Sequence, residues 1–144
     1  MKSAKGFVLL VLALSLFAGC SSSDKPAMAK VTGTVRYNGK PMSLASVTFL
    51  PEKSGVRNAT GSTDANGVYS MTTFETNDGV ILGKYRVGIV AIELAPGPPK
   101  AADDITAVPP KMLTPLKYSD PNTSGFTVEV TADKKNVFDF DLKD

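Results

Sequence analysis

The chain has 144 residues, with no histidine, no tryptophan and one cysteine; its 16 basic and 14 acidic side chains leave a formal charge of +2. Without histidine there are no imidazole triads, imidazole general bases or imidazole metal sites, and the lone thiol has no base to activate it. Lys2 and Lys5 account for the whole positive excess, so the remainder is charge-balanced and gives no electrostatic case for nucleic acid.

Taken in chain order, Met1, Lys2 and Lys5 form a positive start, and Gly6 to Ala18 is almost wholly aliphatic or aromatic. That run is too short for a bilayer, which takes roughly 20 apolar residues, and fits the apolar stretch of a secretory signal. It closes on Leu16-Phe17-Ala18-Gly19-Cys20, where small residues before the cysteine suit a narrow peptidase pocket. These residues resemble the lipobox of bacterial lipoproteins, with Phe17 where Leu is usual and Leu16 one place early. The resemblance implies a signal peptide over residues 1–19 and a diacylglycerol on Cys20. Ordinary secretion with a free thiol is the alternative. Ser21 to Lys30 is small and polar and reads as a flexible tether over residues 20–30.

Residues 31–144 read as strand and turn, repeated. Val31 to Tyr37 alternates, with Val31, Val35 and Tyr37 on one face, and Asn38-Gly39 is a strong hairpin signal. Strands follow at Ala45 to Leu50, Asn58 to Thr63 and Val68 to Thr72. Gly83 to Ile92 carries apolar residues on both faces near its end and reads as central. Leu94 to Leu116 holds six of the ten prolines, which lack the amide a sheet ladder needs, so it reads as a long loop. Phe126 to Val130 and Val137 to Leu142 are the last two strands, the latter turning Phe138, Phe140 and Leu142 inward. Seven strands without a convincing helix predict an all-β fold, an antiparallel seven-stranded β-sandwich of Ig-like or transthyretin-like kind. Its expected core includes Val35, Val47, Phe49, Tyr69, Tyr85, Val87, Ile89, Val128, Phe138 and Phe140. Gly33 is expected to let a neighbouring chain pack closely.

Val31-Thr32-Gly33-Thr34-Val35, Asn38-Gly39-Lys40-Pro41, Val47-Thr48-Phe49, Thr63 to Tyr69 and Gly83 to Val87 occur in that order. Together they resemble the carboxypeptidase regulatory-like (transthyretin-like) β-sandwich. Lys117 to Phe126 and Asn136 to Leu142 look more specifically like small planctomycete lipoproteins of that class. The resemblance implies location and fold far better than activity. Hydrolases of 5-hydroxyisourate share the fold but depend on histidines and a terminal Tyr-Arg-Gly-Ser motif. This chain lacks both and ends Asp141-Leu142-Lys143-Asp144.

Four further places hold candidate site residues. Asp64-Ala65-Asn66-Gly67 matches part of a calcium loop but lacks its other acidic ligands, so it reads as a plain turn. Asp120, Asn122, Thr123 and Ser124 are oxygen-rich and read as an Asx-type turn fixing a loop to the sheet. Tyr118 is either a binding aromatic or a ring tucked against the fold. In the proline-rich loop, Asp103 and Asp104 lie between Lys100 and Lys111, giving Asp103, Asp104, Lys111 and Tyr118 as the candidate binding loop, with a solvated spacer as the alternative. No metal ligands or cofactor are expected. The function expected is a non-catalytic module on the cell envelope, held to a membrane by lipid, with outer membrane favoured, and contacting an envelope protein or glycan. The alternative is a hydrolytic enzyme using Asp/Glu and Tyr.

Overall fold

The computed structural model describes residues 25–94 and 109–144. The expected signal peptide 1–19, the lipobox residues Leu16 to Gly19, Cys20, and the loop residues Asp103 and Asp104 lie outside the described residues.

The described residues are all-β apart from one short 3-10 turn, Leu116–Tyr118. The strands are β1 (Met28–Ala29), β2 (Val31–Tyr37), β3 (Lys40–Pro41), β4 (Ala45–Pro51), β5 (Ala59–Ser62) and β6 (Val68–Ser70). After them come β7 (Val80–Ile81), β8 (Gly83–Glu93), β9 (Lys111–Met112), β10 (Thr127–Val130), β11 (Asn136–Val137) and β12 (Phe140–Leu142). Alternation explains the long ones: β2, β4 and β8 bury every second side chain and expose or half-expose most of the others. Asn38 and Gly39, at φ 49° and 78°, make the tight turn that folds β3 back on β2.

Two five-stranded sheets carry the fold. One has the order β10-β8-β4-β5, with β9 on the end of β8. The other gathers β3, β6, β11 and β12 around β2. A two-stranded ribbon, β1 with β7, lies beside them. Aromatic rings from both large sheets meet in one core: Phe49 lies 6.2 Å from Phe138, and Phe126 5.1 Å from Phe140. At one margin the sheets also touch through their backbones, where Thr60 and Thr72 exchange hydrogen bonds of 2.9 and 2.8 Å.

Three expectations are corrected. First, the sheets are not purely antiparallel, because β11 and β12 both pair parallel with β2. Periodicity sets which face a residue takes but not the direction of its neighbour. Residues 131–135 carry the chain from β10 across to the other sheet, where it runs alongside β2 in the same sense. Second, the last strand is split. Phe138 N still donates to Thr32 O at 2.9 Å, but Thr34 N donates to the Asp139 carboxylate at 2.7 Å, so a side chain replaces a ladder carbonyl. Third, the strands begin before residue 31 and resume before residue 117. Met28–Ala29 pairs with β7, inside the expected tether, and Lys111–Met112 pairs with Glu93 and Ile92, inside the expected loop. Both are two-residue edge pairings held by backbone, which leave no mark on the side-chain pattern.

The expected core is buried at Val35, Val47, Phe49, Tyr69, Tyr85, Val87, Ile89 and Phe140. Val128 and Phe138 are half-buried and pack against it. Val128 sits on an edge strand with solvent on one side, and Phe138 falls in the break between β11 and β12. Met71, Val80 and Tyr118 join the core from segments the alternation leaves weak.

Candidate functional site

The described chain starts at a fastened end. Lys25 Nζ pairs with Glu75 Oε1 at 2.7 Å, Lys30 Nζ donates to Asn77 O, and β1 seats on β7 just ahead of β8. β8 then runs eleven residues to Glu93, about 35 Å at the usual rise per residue. Leu94 and β9 therefore lie at the end of β8 opposite to the one where the N-terminal segment is held. There Ile92 and Met112 pair as partly exposed apolar residues, beside a Lys111–Glu93 surface contact of 3.9 Å. An exposed pair at that distance contributes little stability.

Of the expected binding-loop residues, the structure places Lys111 on the surface and Tyr118 in the core. The Tyr118 ring stacks on Phe126 at 5.3 Å, and Lys117 Nζ lies 5.0 Å above it. Its hydroxyl donates to Lys143 O at 3.1 Å and accepts from Lys143 N at 3.2 Å. Tyr118 thus ties the turn after β9 to the chain following β12, and it presents no ring to a partner.

Both oxygen-rich turns spend their carboxylates on backbone amides. Asp64 Oδ1 accepts from Asn66 N at 2.8 Å and Val68 N at 2.9 Å. Asp120 Oδ1 accepts from Asn122 N and Nδ2, both at 2.8 Å. Ser124 Oγ donates to Val87 O, and Arg86 Nη1 to Asn122 Oδ1, so this loop is pinned across β8. Among the described residues no three His, Cys, Asp or Glu side chains gather as metal ligands, and no helix is long and apolar enough to cross a membrane.

A third such turn went unremarked in the sequence. Asp78 accepts from the amides of Thr73, Phe74 and Glu75 at 2.8 to 2.9 Å. Its burial would raise the carboxyl pKa, but these amides together outweigh that and hold it below the usual carboxylate value. The Asp itself, five residues after Thr73, was the available signal.

Among the described residues an open depression of about 700 Å³ runs along the margin where β5 meets β6. Its lining is hydroxyl-rich: Ser46, Thr60, Ser62, Ser70 and Thr72, with Asn77 at one end and Asp64 at the other. β4 and β5 place Ser46 opposite Ser62 and Thr48 opposite Thr60, so their side chains share the outward face. Tyr69 also lines it, but its hydroxyl donates inward to Phe138 O at 2.7 Å, and burial pushes its pKa well above the ordinary tyrosine value. The one carboxylate, Asp64, engages two backbone amides through Oδ1. The arrangement offers neutral donors and acceptors on a shallow surface. Sequence reasoning missed it, because alternating Ser and Thr in weak strands give no motif until β5 and β6 are brought together.

Comparison with protein-family models, with curated proteins and with solved structures finds no match to the chain.

Proposed function

We propose that this chain is a non-catalytic, lipid-anchored protein of a bacterial cell envelope, whose domain binds a neutral glycan along the β5–β6 margin. In this reading residues 1–19 are a signal peptide and Cys20 carries the lipid. The two large sheets form a sandwich of the carboxypeptidase regulatory-like, transthyretin-like kind, similar to small planctomycete lipoproteins. The observation that carries the binding reading is the hydroxyl-lined depression, whose single carboxylate holds two backbone amides through one oxygen. Uncharged hydroxyls and an amide match the donor and acceptor pattern of a sugar. They lack the charge that would select a phosphate, a nucleic acid or a metal. The fastened end at β1 supports the anchor reading, because a chain emerging from lipid at Cys20 reaches the sheet within a few residues.

Two experiments test the two halves separately. Clickable fatty-acid labelling should mark the wild type and fail with Cys20→Ser; equal labelling of both would remove the lipid anchor. Retention on isolated envelope glycan should fall with Ser62→Arg, which fills the depression from an exposed position, and not with Lys143→Ala. Equal retention of Ser62→Arg and wild type would remove the glycan site.

A further inference from the structure

We infer that the outer edge of β10 is a self-pairing surface, on which a second copy of this chain adds its own β10 antiparallel about a two-fold axis at Val128. β10 ends the β8 sheet, and among the described residues nothing pairs with its outer side. Its inner side is fixed: Val87 N donates to Phe126 O at 2.9 Å, and Thr127, Val128 and Glu129 lie opposite Arg86, Tyr85 and Lys84. In an antiparallel ladder, successive residues turn their amide and carbonyl to opposite sides. Phe126 and Val128 therefore bond β8, and the backbone groups of Thr127 and Glu129 point outward.

Those two residues flank Val128, so a two-fold axis there sets Thr127 of each copy against Glu129 of the other. Each pair exchanges two backbone hydrogen bonds, and both outward-facing residues of each copy are used. The neighbouring registers are worse. An axis at Glu129 places two carboxylates face to face, and one at Thr127 sets Glu129 against Gly125, which has φ 77° and is not extended.

The charges on the exposed face agree with the same register. Across the joined sheets they read Lys84, Glu129, then Thr127 and Arg86 of the second copy, because Glu129 lies opposite Lys84 and Thr127 opposite Arg86. Each carboxylate thus falls between its own Lys84 and the second copy's Arg86, two strand spacings or about 10 Å away at the backbone and within reach of long side chains. Arg86 Nη1 donates to its own Asn122 Oδ1, and its Nε is buried without a hydrogen-bond partner in the single copy. A charge on an edge strand ordinarily discourages such pairing. In this register it is met by a cation on either side.

The test uses the full chain in mild detergent. Val128→Cys places one thiol from each copy at a directly opposed, non-hydrogen-bonded position, within the range a disulfide spans. Thr127→Cys places its thiols diagonally, about 8 Å apart at Cα, beyond that range. Mild oxidation should give a reducible dimer with Val128→Cys and less than about a tenth as much with Thr127→Cys. The wild type, whose single cysteine is Cys20, reports cross-linking through that position. Thr127→Pro removes one outward amide and leaves the β8 ladder intact. It should abolish the Val128→Cys cross-link, and should halve the sedimenting protein mass of the otherwise wild-type chain. Equal cross-linking at 127 and 128, or a wild-type mass that Thr127→Pro does not change, would overturn the inference.

Discussion

Gly33→Ala tests how the two ends of the domain close on each other. A Cβ at position 33 would stand 1.8 Å from Phe138 O, 2.6 Å from Phe138 C and 2.8 Å from the Tyr69 hydroxyl. The first of these atoms is backbone and cannot swing away. It is held by the Phe138 N bond to Thr32 O and receives the Tyr69 hydroxyl. Relieving the clash means withdrawing the Phe138 carbonyl by more than about 1 Å, which breaks the tyrosine bond and loosens the ladder beside it. Overpacking costs about 1–3 kcal/mol, and a buried hydroxyl left unpaired costs a similar amount, so about 3–5 kcal/mol is expected. For a domain of this size that is a fall of roughly 10–20 °C in Tm. Tyr69→Phe removes the hydroxyl without the clash and should cost about 1 kcal/mol. The double variant should then cost less than the two singles together, because the new methyl and the hydroxyl compete for one place. Thermal and urea melts followed by circular dichroism give all four values. A Gly33→Ala melt within about 2 °C of wild type, or strict additivity in the cycle, would refute this account of β2 against Phe138.

Phe140→Ala should destabilise by about 3–5 kcal/mol, since its ring is buried between Tyr69 and Phe126, whereas Lys143→Ala should change the urea midpoint little because the Lys143 side chain makes only an exposed 3.8 Å contact with Asp141. Tyr118→Phe should cost about 1–2 kcal/mol by freeing both Lys143 backbone groups while leaving the stack on Phe126, and a melt identical to wild type would refute that linkage. Asp78 titrates lower in the folded chain than in the unfolded one, so its contribution is complete above about pH 4 and is lost as pH falls through the depressed folded value. Asp78→Asn should therefore flatten the acid limb of the stability curve, and unchanged acid sensitivity would count against the three-amide turn.

The sequence was most informative where side chains, not backbone, specify structure. β2, β4 and β8 could be read because Val31, Val35, Val47, Phe49, Val87 and Ile89 alternate with polar or small residues. The Asn38-Gly39 turn followed from the positive φ both positions tolerate, and Gly33 from the space its missing side chain leaves. β1, β3, β7 and β9 could not be read: each is two residues long, too short for an alternation to show. The parallel sense of β12 was hidden for a related reason, since Phe138, Phe140 and Leu142 would face inward in either direction. The β5–β6 depression was the least legible feature. Its hydroxyls come from separate segments, made neighbours by the β4–β5 pairing and the Thr60–Thr72 contact.

The parallel pairing of β12 with β2 has a consequence for the order of folding. Residues more than 100 positions apart must meet before β2 has a neighbour on that side, as in the Thr34–Asp139 bond. As the chain is synthesised, β2 therefore waits with one side open until residues 136–142 arrive. Such contacts of long sequence separation make folding slow compared with domains built from local contacts.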